Sequence, residues 1–511
     1  MSDIVLAVLN ARYSHTALGV RYLLANLGEL REQAVLEEFL IVDDPQRIVE
    51  RILRHQPRIV ALSLSIWNVA PSRRVIALLK QIDPAIKVVV GGPEVRFTEQ
   101  PEVDADVVVR GEGEVVFPGI CADLLAGRSV AAIVDGVLPD VDQLVLPYDD
   151  YSDEDIRQRI IYVESSRGCP FRCEFCLSSM DKKVRRFALE PLLAAFERLI
   201  ARGCRCFKFI DRTFNLDLTT CQRLLDFFYE RWPRDAAGAL VSPEMSRQVA
   251  QGVDRNDSFF LHFEMVPDRF DENLLDGLAR FPAGGVQLEV GVQTLDPEAG
   301  RRISRRIDAE ATARNIGLIR QRTGAHIHAD LIVGLPGEDV AGFARSFDEL
   351  RAMGPHEIQV GILKLLPGAP IARHVEPHAM RFNPQPPYDV LQTDCIPFQR
   401  MQELKRFARY HDVFVNSDRF AGAMAALMDT AASAFAAFDA FAQWVFAETG
   451  QDHAINQQRQ YRLVMSYLCD RQGMLAERVA ALLIEDFLRH GLRRYLPECL
   501  RPFEQRPEPT R

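Results

Sequence analysis

Three cysteines stand close together in the segment GCPFRCEFC: Cys169, Cys173 and Cys176, with the spacing CxxxCxxC. Iron–sulfur clusters are held by cysteine thiolates, and a cubane usually takes four, so three ligands leave one iron open to a second molecule. A zinc site is the alternative, but zinc sites usually pair CxxC with another cysteine or histidine pair, and no second pair stands out. The spacing therefore favours a cluster with one open iron.

The cysteines follow the first of six apolar runs that alternate with helical patterns. The runs are IIYVESSRG, CFKFIDRTFN, FFLHFEMVP, GVQLEVGVQT, AHIHADLIVGLPGE and HEIQVGILKLLPG. Repeated βα units predict a complete or partial barrel of parallel strands, with its chemistry at the carboxyl ends of the strands. Besides the cysteines, those ends carry Asp211, Glu264, Glu289, Asp330 and Lys364.

Residues 1–125 also alternate short apolar runs with helical patterns, which predicts a doubly wound, Rossmann-like α/β domain. Ligands of such sheets bind beyond the carboxyl ends of the strands. The candidate residues at these ends are mostly polar residues and glycines: Tyr13, Ser14, His15, Thr16, Ser63, Ser65, Trp67, Asn68, Gly91, Gly92, Glu94, Gly111, Glu112, Gly113 and Glu114.

The pattern divides the chain of 511 residues into three domains and a linker. Prolines and an acidic run in residues 126–158 predict a connecting segment over the surface. The barrel is expected over residues 159–385. From residue 386 to 511, apolar residues at three- and four-residue intervals predict a helical domain.

Composition narrows the class of partner. The net charge of −10 and pI near 5.7 provide no global attraction for nucleic acid or anionic membranes. No apolar run reaches about 18 residues, and the amino terminus lacks the pattern of a secretion signal, so we expect a cytoplasmic protein without a membrane span.

GCPFRCEFC, including Phe175 before the third cysteine, resembles the motif of the radical S-adenosylmethionine (SAM) superfamily. The resemblance implies a 4Fe–4S cluster whose open iron binds the amino and carboxylate groups of SAM. It also implies reductive cleavage of SAM to a 5′-deoxyadenosyl radical, with electrons from a donor such as flavodoxin or ferredoxin.

Other strand ends resemble the superfamily more loosely. Asp211 and Arg212 occupy the place of the motif for the methionine amino group, although its usual two glycines are absent. Glu289 and Gln293 match contacts to ribose or carboxylate. The segment ADLIVGLPGE resembles the fifth-strand motif through Asp330, Gly334, Pro336, Gly337 and Glu338. For any single carboxylate, an ion pair or a helix cap is the alternative.

The amino-terminal segments NARYSHTALG, SLSIWN, VVVGGPEV and VVVRGEGE are similar to cobalamin-binding domains that precede radical SAM modules. The Asp-x-His-x-x-Gly motif that supplies a histidine to cobalt is absent, so the role of His15 stays open. The whole chain resembles a subgroup that ends in a helical domain of uncharacterised type.

The resemblance implies methyl transfer to an unactivated carbon of a small-molecule or peptide substrate. Two alternatives remain open. One is a radical SAM enzyme that uses cobalamin for redox chemistry in cyclisation or ring rearrangement. The other is a non-catalytic sensor that binds cobalamin or the cluster.

Overall fold

A first parallel sheet is formed by the amino-terminal part of the computed structural model, which describes residues 2–98, 102–181, 183–243, 258–489 and 495–504. Its strands are β1 (Ile4–Asn10), β2 (Ala34–Leu40), β3 (Ile59–Ser63), β4 (Lys87–Gly91), β5 (Val107–Arg110) and β6 (Ile133–Asp135), in the order β2-β1-β3-β4-β5-β6. The accompanying helices are Leu18–Ala25, Pro45–Leu53, Val69–Ile82 and Phe117–Leu125.

Both faces of this sheet are buried. Alternate residues of β1 belong to two separate apolar cores, with Val5 and Leu9 in one and Leu6 and Val8 in the other. A strand buried on both sides reads as a continuous apolar run, as IVLAVLN does. The predicted doubly wound domain is confirmed.

The second sheet has the six parallel strands that the sequence predicts, in an open arrangement typical of a partial barrel. They are β7 (Ile161–Val163), β10 (Cys206–Phe209), β11 (Phe260–Met265), β12 (Val286–Gln293), β13 (His326–Val333) and β14 (Glu357–Ile362), in the order β14-β13-β12-β11-β10-β7. Two short antiparallel pairs accompany the sheet: β8 (Ser166–Arg167) with β9 (Arg185–Arg186), and β15 (Arg381–Phe382) with β16 (Val390–Gln392). Its helices are Leu189–Ala201, Leu218–Arg231, Glu272–Ala279, Pro297–Arg302, Ala309–Arg322 and Val340–Met353.

The edge of this sheet at β14 is covered by the side chain of Asn416. Its amide nitrogen donates to the carbonyl of Ile358 at 3.0 Å, and its oxygen accepts the Ile358 N–H at 3.3 Å. One side chain thus satisfies both backbone groups of an edge residue, which would otherwise be free to pair with another strand.

The segment 126–158 differs from the predicted surface linker. Its first part contributes β6 to the front sheet, and its helix Asp153–Gln158 follows two buried tyrosines. Tyr148 and Tyr151 are 0% and 1% exposed and donate to the carbonyls of Glu164 and Tyr162. Tyr148 and Tyr151 thus anchor to the barrel a segment whose other residues are mostly exposed or half-buried.

The carboxyl-terminal part is helical, as predicted. Its helices are Phe398–Phe414, Ala421–Met428, Ala434–Thr449, Gln457–Ser466 and Ala476–Arg489. Among the residues that the structure describes, no helix is long and apolar enough to cross a membrane.

Candidate functional site

The cysteine segment is held by hydrogen bonds on both sides. Gly168 has a φ of +91°, and a Cβ there would lie 2.5 Å from the Lys183 carbonyl, so the turn into Cys169 requires glycine. Glu174, between the second and third cysteines, is 5% exposed and accepts hydrogen bonds from Ser304 and Arg373. These contacts fix the segment against the helices that follow β12 and β14.

All three cysteines line one cavity of about 140 Å³, called the cysteine cavity below. The predicted residues Phe175, Arg212, Glu289, Gln293 and Asp330 line it as well. Sequence reasoning left out several further wall residues, among them Arg305 and Thr213, and gave Glu264 no binding role. Carboxylates and guanidinium groups on the same wall match a zwitterionic ligand.

Arg305 reaches the cysteines. Its Nη1 lies 3.7 Å from the Cys173 Sγ, and its other terminal nitrogen donates to the Gly291 carbonyl. Burial raises the pKa of Cys173, and the positive charge of Arg305 opposes that rise. The guanidinium therefore favours the thiolate that a metal cluster requires.

The carboxylates of the cavity differ in the direction of their pKa shifts. Burial and the neighbouring Glu289 and Glu264 raise the pKa of Asp330 well above its usual value. Burial also raises the pKa of Glu264. Glu289 is half-buried, and the hydrogen bond with His262 Nε2 at 3.0 Å holds its pKa below the usual value. Glu289 is thus the carboxylate of the three whose ionised form the surroundings favour.

Two buried atoms on this wall have no hydrogen-bond partner among the described residues: Asp330 Oδ1 and Arg305 Nε. A buried polar group without a partner is costly unless a ligand satisfies it. Three free thiols, an anionic carboxylate and these two atoms fit a 4Fe–4S cluster together with SAM.

Asp211 does not line the cysteine cavity. It is 1% exposed and accepts hydrogen bonds from the Ser165 N–H, the Ser165 hydroxyl and the Ser166 hydroxyl at 2.6–2.9 Å. These bonds hold the strand end that leads into the cysteines, so the structure gives Asp211 a positioning contact in place of the predicted ligand contact.

The residues of the GLPGE segment also lie outside the cysteine cavity. Gly334 and Gly337 have φ of +88° and +68°, and a Cβ at these sites would lie 2.6 Å from Val390 and 2.9 Å from Arg302. Pro336 lies between them, and its carbonyl accepts from Arg302. Glu338 is 3% exposed and accepts from the Thr294 hydroxyl at 2.6 Å. The structure shows the segment as a close-packed turn.

A second cavity of about 340 Å³ lies between the front sheet and the barrel and is called the front cavity below. Seven predicted residues line it: Ser63, Gly91, Gly92, Gly111, Glu112, Gly113 and Glu114. Gly19, Tyr22 and Phe117 add a largely apolar wall. An apolar cavity with glycines at the strand ends fits a bulky ring such as a corrin.

The other predicted front-domain residues do not line this cavity. Tyr13, Ser14, His15 and Thr16 contact the start of the barrel; Tyr13 donates to Glu154, and Thr16 donates to the Ile160 carbonyl. The Ser14 carbonyl accepts the Ile160 N–H, and the His15 ring packs edge-on against Tyr162. This segment therefore joins the two domains.

The remaining four residues, Ser65, Trp67, Asn68 and Glu94, also lie outside the front cavity. Asn68 is fully buried and bonds Leu9, Ser63 and Ser65, so it fastens two strand ends together. Trp67 is 53% exposed, and Glu94 accepts a hydrogen bond from Tyr388. Gly92 lines the front cavity, but a Cβ there would lie 2.5 Å from the Leu64 carbonyl. Because Gly92 has no side chain, the backbone of Leu64 can pack closely against it.

The two cavities adjoin, because Ser178 and Arg212 line both. Family models match three parts of the chain. Residues 4–121 match the B12 binding domain, and residues 163–350 match the radical SAM superfamily. The chain contains a B12-binding domain and a radical SAM domain. Residues 376–510 match a protein family of unknown function, DUF4080.

The domain matches confirm the resemblance and the cofactors that it implies, cobalamin for the front domain and a 4Fe–4S cluster with SAM for the barrel. Among curated relatives, the cobalamin-dependent radical SAM methyltransferase TokK of Streptomyces tokunonensis is 27% identical over 69% of this chain and 53% of its own length. The 2-(S-pantetheinyl)-carbapenam-3-carboxylate methyltransferase of Streptantibioticus cattleyicolor is 29% identical over 66% and 50%. The chain thus spans about half the length of these relatives.

Solved structures share the fold. The methyltransferase TsrM of Kitasatospora setae, with tryptophan substrate and a SAM analogue bound, superposes with a TM-score of 0.57 at 18% identity, over 78% of this chain and 81% of its own. The cobalamin-dependent enzyme OxsB, with aqua-cobalamin and SAM bound, gives 0.55 at 12% identity, over 96% and 80%. The fold of OxsB thus covers nearly the whole chain.

Proposed function

We propose that this chain is a cobalamin-dependent radical SAM methyltransferase that transfers a methyl group to an unactivated carbon. The observation that carries the proposal is the common wall of the two cavities, formed by Ser178 and Arg212. A substrate carbon at that wall would face both cofactors, as a reaction between two bound groups requires. The curated relatives named as methyltransferases support the same reaction.

The side chains of the cysteine cavity would hold and orient SAM. Arg305 and Arg212 offer guanidinium groups to its carboxylate, and the ionised Glu289 offers an acceptor to its cationic or hydroxyl groups. When bound, the cluster supplies the electron for reductive cleavage of SAM, and cobalamin supplies the methyl group. The apolar side chains of Phe171, Phe175 and Met265 on the same wall would help to exclude water from this reaction.

The proposed substrate is a small molecule or a peptide, and the proposed electron donor is a flavodoxin or ferredoxin in the cytosol. Tryptophan in TsrM supports the small-molecule class. The three domains would divide the work at the predicted boundaries, with residues 159–385 carrying the radical chemistry.

Anaerobic reconstitution with iron, sulfide and hydroxocobalamin tests the proposal. We expect an iron–sulfur absorption band, bound cobalamin, and 5′-deoxyadenosine on addition of SAM and a strong reductant. Formation of S-adenosylhomocysteine beside it would indicate methyl transfer, whereas 5′-deoxyadenosine without it would favour redox use of cobalamin. A preparation that binds both cofactors and cleaves no SAM would contradict the proposal.

The Cys173→Ala variant should lose the cluster and all 5′-deoxyadenosine while still binding cobalamin, because one of three thiolate ligands is removed. Cys204→Ala is the matched control, since Cys204 is a buried thiol of the same barrel that does not line the cysteine cavity. Iron and sulfide content per chain, measured beside cobalamin absorbance, distinguishes the two variants.

A further inference from the structure

A cluster of His326, His328 and Glu357 lies at the opposite end of the barrel from the cysteines. His326 is the first residue of β13, and Glu357 is the first residue of β14. His326 and His328 are two residues apart on a strand and so face the same side of the sheet, and Glu357 is the register partner of His328. We infer that these three side chains bind a divalent transition-metal ion.

The distances agree with metal ligation. The Nε2 atoms of His326 and His328 both lie 3.2 Å from the same Glu357 Oε1, and one ligand atom from each residue lies within 4.8 Å of the others. Tetrahedral coordination with bonds of about 2.0–2.2 Å separates ligand atoms by about 3.3–3.5 Å. The side chains therefore need little movement to close on an ion.

His328 is the residue that points to a ligand. Its side chain is 8% exposed, and its Nε2 has no hydrogen-bond partner among the described residues, although it faces Glu357. Its other ring nitrogen, Nδ1, lies 3.2 Å from the amide nitrogen of Gln287 and 2.8 Å from the amide nitrogen of Gln359. Turning the Gln359 amide by 180° would place its oxygen beside Nδ1, where it would accept the ring proton and leave the Nε2 lone pair for a metal.

The donor set selects the class of ion. Two imidazoles and one carboxylate suit Zn²⁺ or Fe²⁺, whereas Mg²⁺ and Ca²⁺ prefer oxygen ligands alone. The carboxylate of Glu357 would add a negative charge to the two neutral imidazoles. The neighbouring His356 stacks on the His326 ring, with its centroid 4.3 Å away.

The position indicates a structural role. In parallel barrels, reactions take place at the carboxyl ends of the strands, whereas the amino-terminal ends contribute to stability. The ion would join β13 to the edge strand β14. This inference is independent of the proposed function, and its failure would leave that proposal unchanged.

Equilibrium dialysis of the reconstituted holoprotein against Zn²⁺ tests the inference, because the assembled iron–sulfur cluster occupies the three cysteines. We expect about one bound Zn²⁺ per chain and an increase in Tm with Zn²⁺ concentration. Co²⁺ as a second probe should give the visible absorption of a low-symmetry site. Iron and sulfide are measured in every sample, so that zinc in place of the cluster is recognised.

Glu357→Gln and His328→Ala should each weaken Zn²⁺ binding at least 10-fold and remove the increase in Tm. His356→Gln is the matched control, because it changes a histidine that touches the cluster without supplying a ligand, and it should bind Zn²⁺ as the unchanged chain does. Glu357→Gln keeps the shape of the side chain and guards against failure to fold. The inference would be overturned if the unchanged chain bound no Zn²⁺, or if Glu357→Gln and His328→Ala bound Zn²⁺ as tightly as the unchanged chain does.

Discussion

At the scale of single residues, Arg305 carries the most testable contact of the cysteine cavity. Its guanidinium lies beside Cys173 and has one unpartnered nitrogen on the wall. Arg305→Met should weaken SAM binding by about 10- to 100-fold, since a hydrogen bond to a charged group contributes about 1.5–3 kcal/mol. Arg301→Met is the control, because Arg301 pairs with Glu298 at the surface. Equal SAM affinity of both variants by calorimetry would contradict the assignment.

The buried Glu338 should make the stability of the folded protein depend on pH. Burial raises its pKa from 4.5 to about 7, so the folded protein holds a proton that the unfolded chain releases. The carboxyl group therefore lowers stability as pH rises from about 4.5 to 7, by up to about 3 kcal/mol. In urea unfolding at pH 5 and pH 8, Glu338→Gln should lose less stability between the two values than the unchanged chain. Glu310→Gln, an exposed glutamate, should follow the unchanged chain.

At the scale of elements, the helix Leu18–Ala25 forms part of the wall of the front cavity and limits the space for a ligand. Gly19 lines the cavity, and a Cβ there would meet nothing within 4 Å. Gly19→Phe should therefore fold normally while its ring obstructs the cavity, and cobalamin affinity should fall at least 10-fold by steric exclusion.

Gly119→Phe is the matched control for that experiment. Gly119 lies in the helix Phe117–Leu125, also has open space around its Cβ position, and does not line the front cavity. Cobalamin absorbance after gel filtration compares the two variants, and equal retention would show that the front cavity is not the cobalamin site. Gly92 is unsuitable for this purpose, because a side chain there would collide with the backbone of Leu64.

At the scale of the whole molecule, Arg167 joins the two sheets. Its guanidinium contacts Glu112 and Glu114 of the front domain at 2.7 and 2.8 Å, and Glu164 of the barrel at 2.9 Å. Arg167→Met should cost about 3–5 kcal/mol, because it removes the ion-pair partner of the buried Glu114 and Glu164, whereas Glu112 keeps its pair with Arg185. Arg198→Met removes an exposed pair with Asp149 and should cost less than about 1 kcal/mol. Thermal unfolding of both variants checks the difference.

How much could be read from the sequence depended on the range of the interactions. The strands of both sheets other than β6 were predictable, because a strand with a buried face is rich in apolar residues, as in KVVVG. Strand β6 was missed since Ile133–Asp135 has only three residues and two of them are exposed. The three cysteines were found because their spacing is local.

The rest of the site depended on contacts across the fold. Arg305 reaches Cys173 from 132 positions further along the chain, and nothing in RRISRRID distinguishes it from its neighbours. Asp211 was predicted to contact a ligand, but it accepts hydrogen bonds from Ser165 and Ser166. These residues lie 46 and 45 positions earlier in the chain, so the local sequence does not indicate the contact. The two glycines of GLPGE, Gly334 and Gly337, were predicted to contact a ligand. In the structure, the neighbouring Val390 and Arg302 explain why these two positions need glycine.

The covering of Ile358 by Asn416 has a consequence for the ageing of the protein. An amide satisfies a peptide unit because it carries both a donor and an acceptor. Hydrolysis of the Asn416 amide to a carboxylate would remove the donor and place a carboxylate oxygen against the Ile358 carbonyl oxygen. The outermost strand would then lose the side chain that covers it. Slow chemical damage at one side chain would thus expose a ready template for intermolecular association.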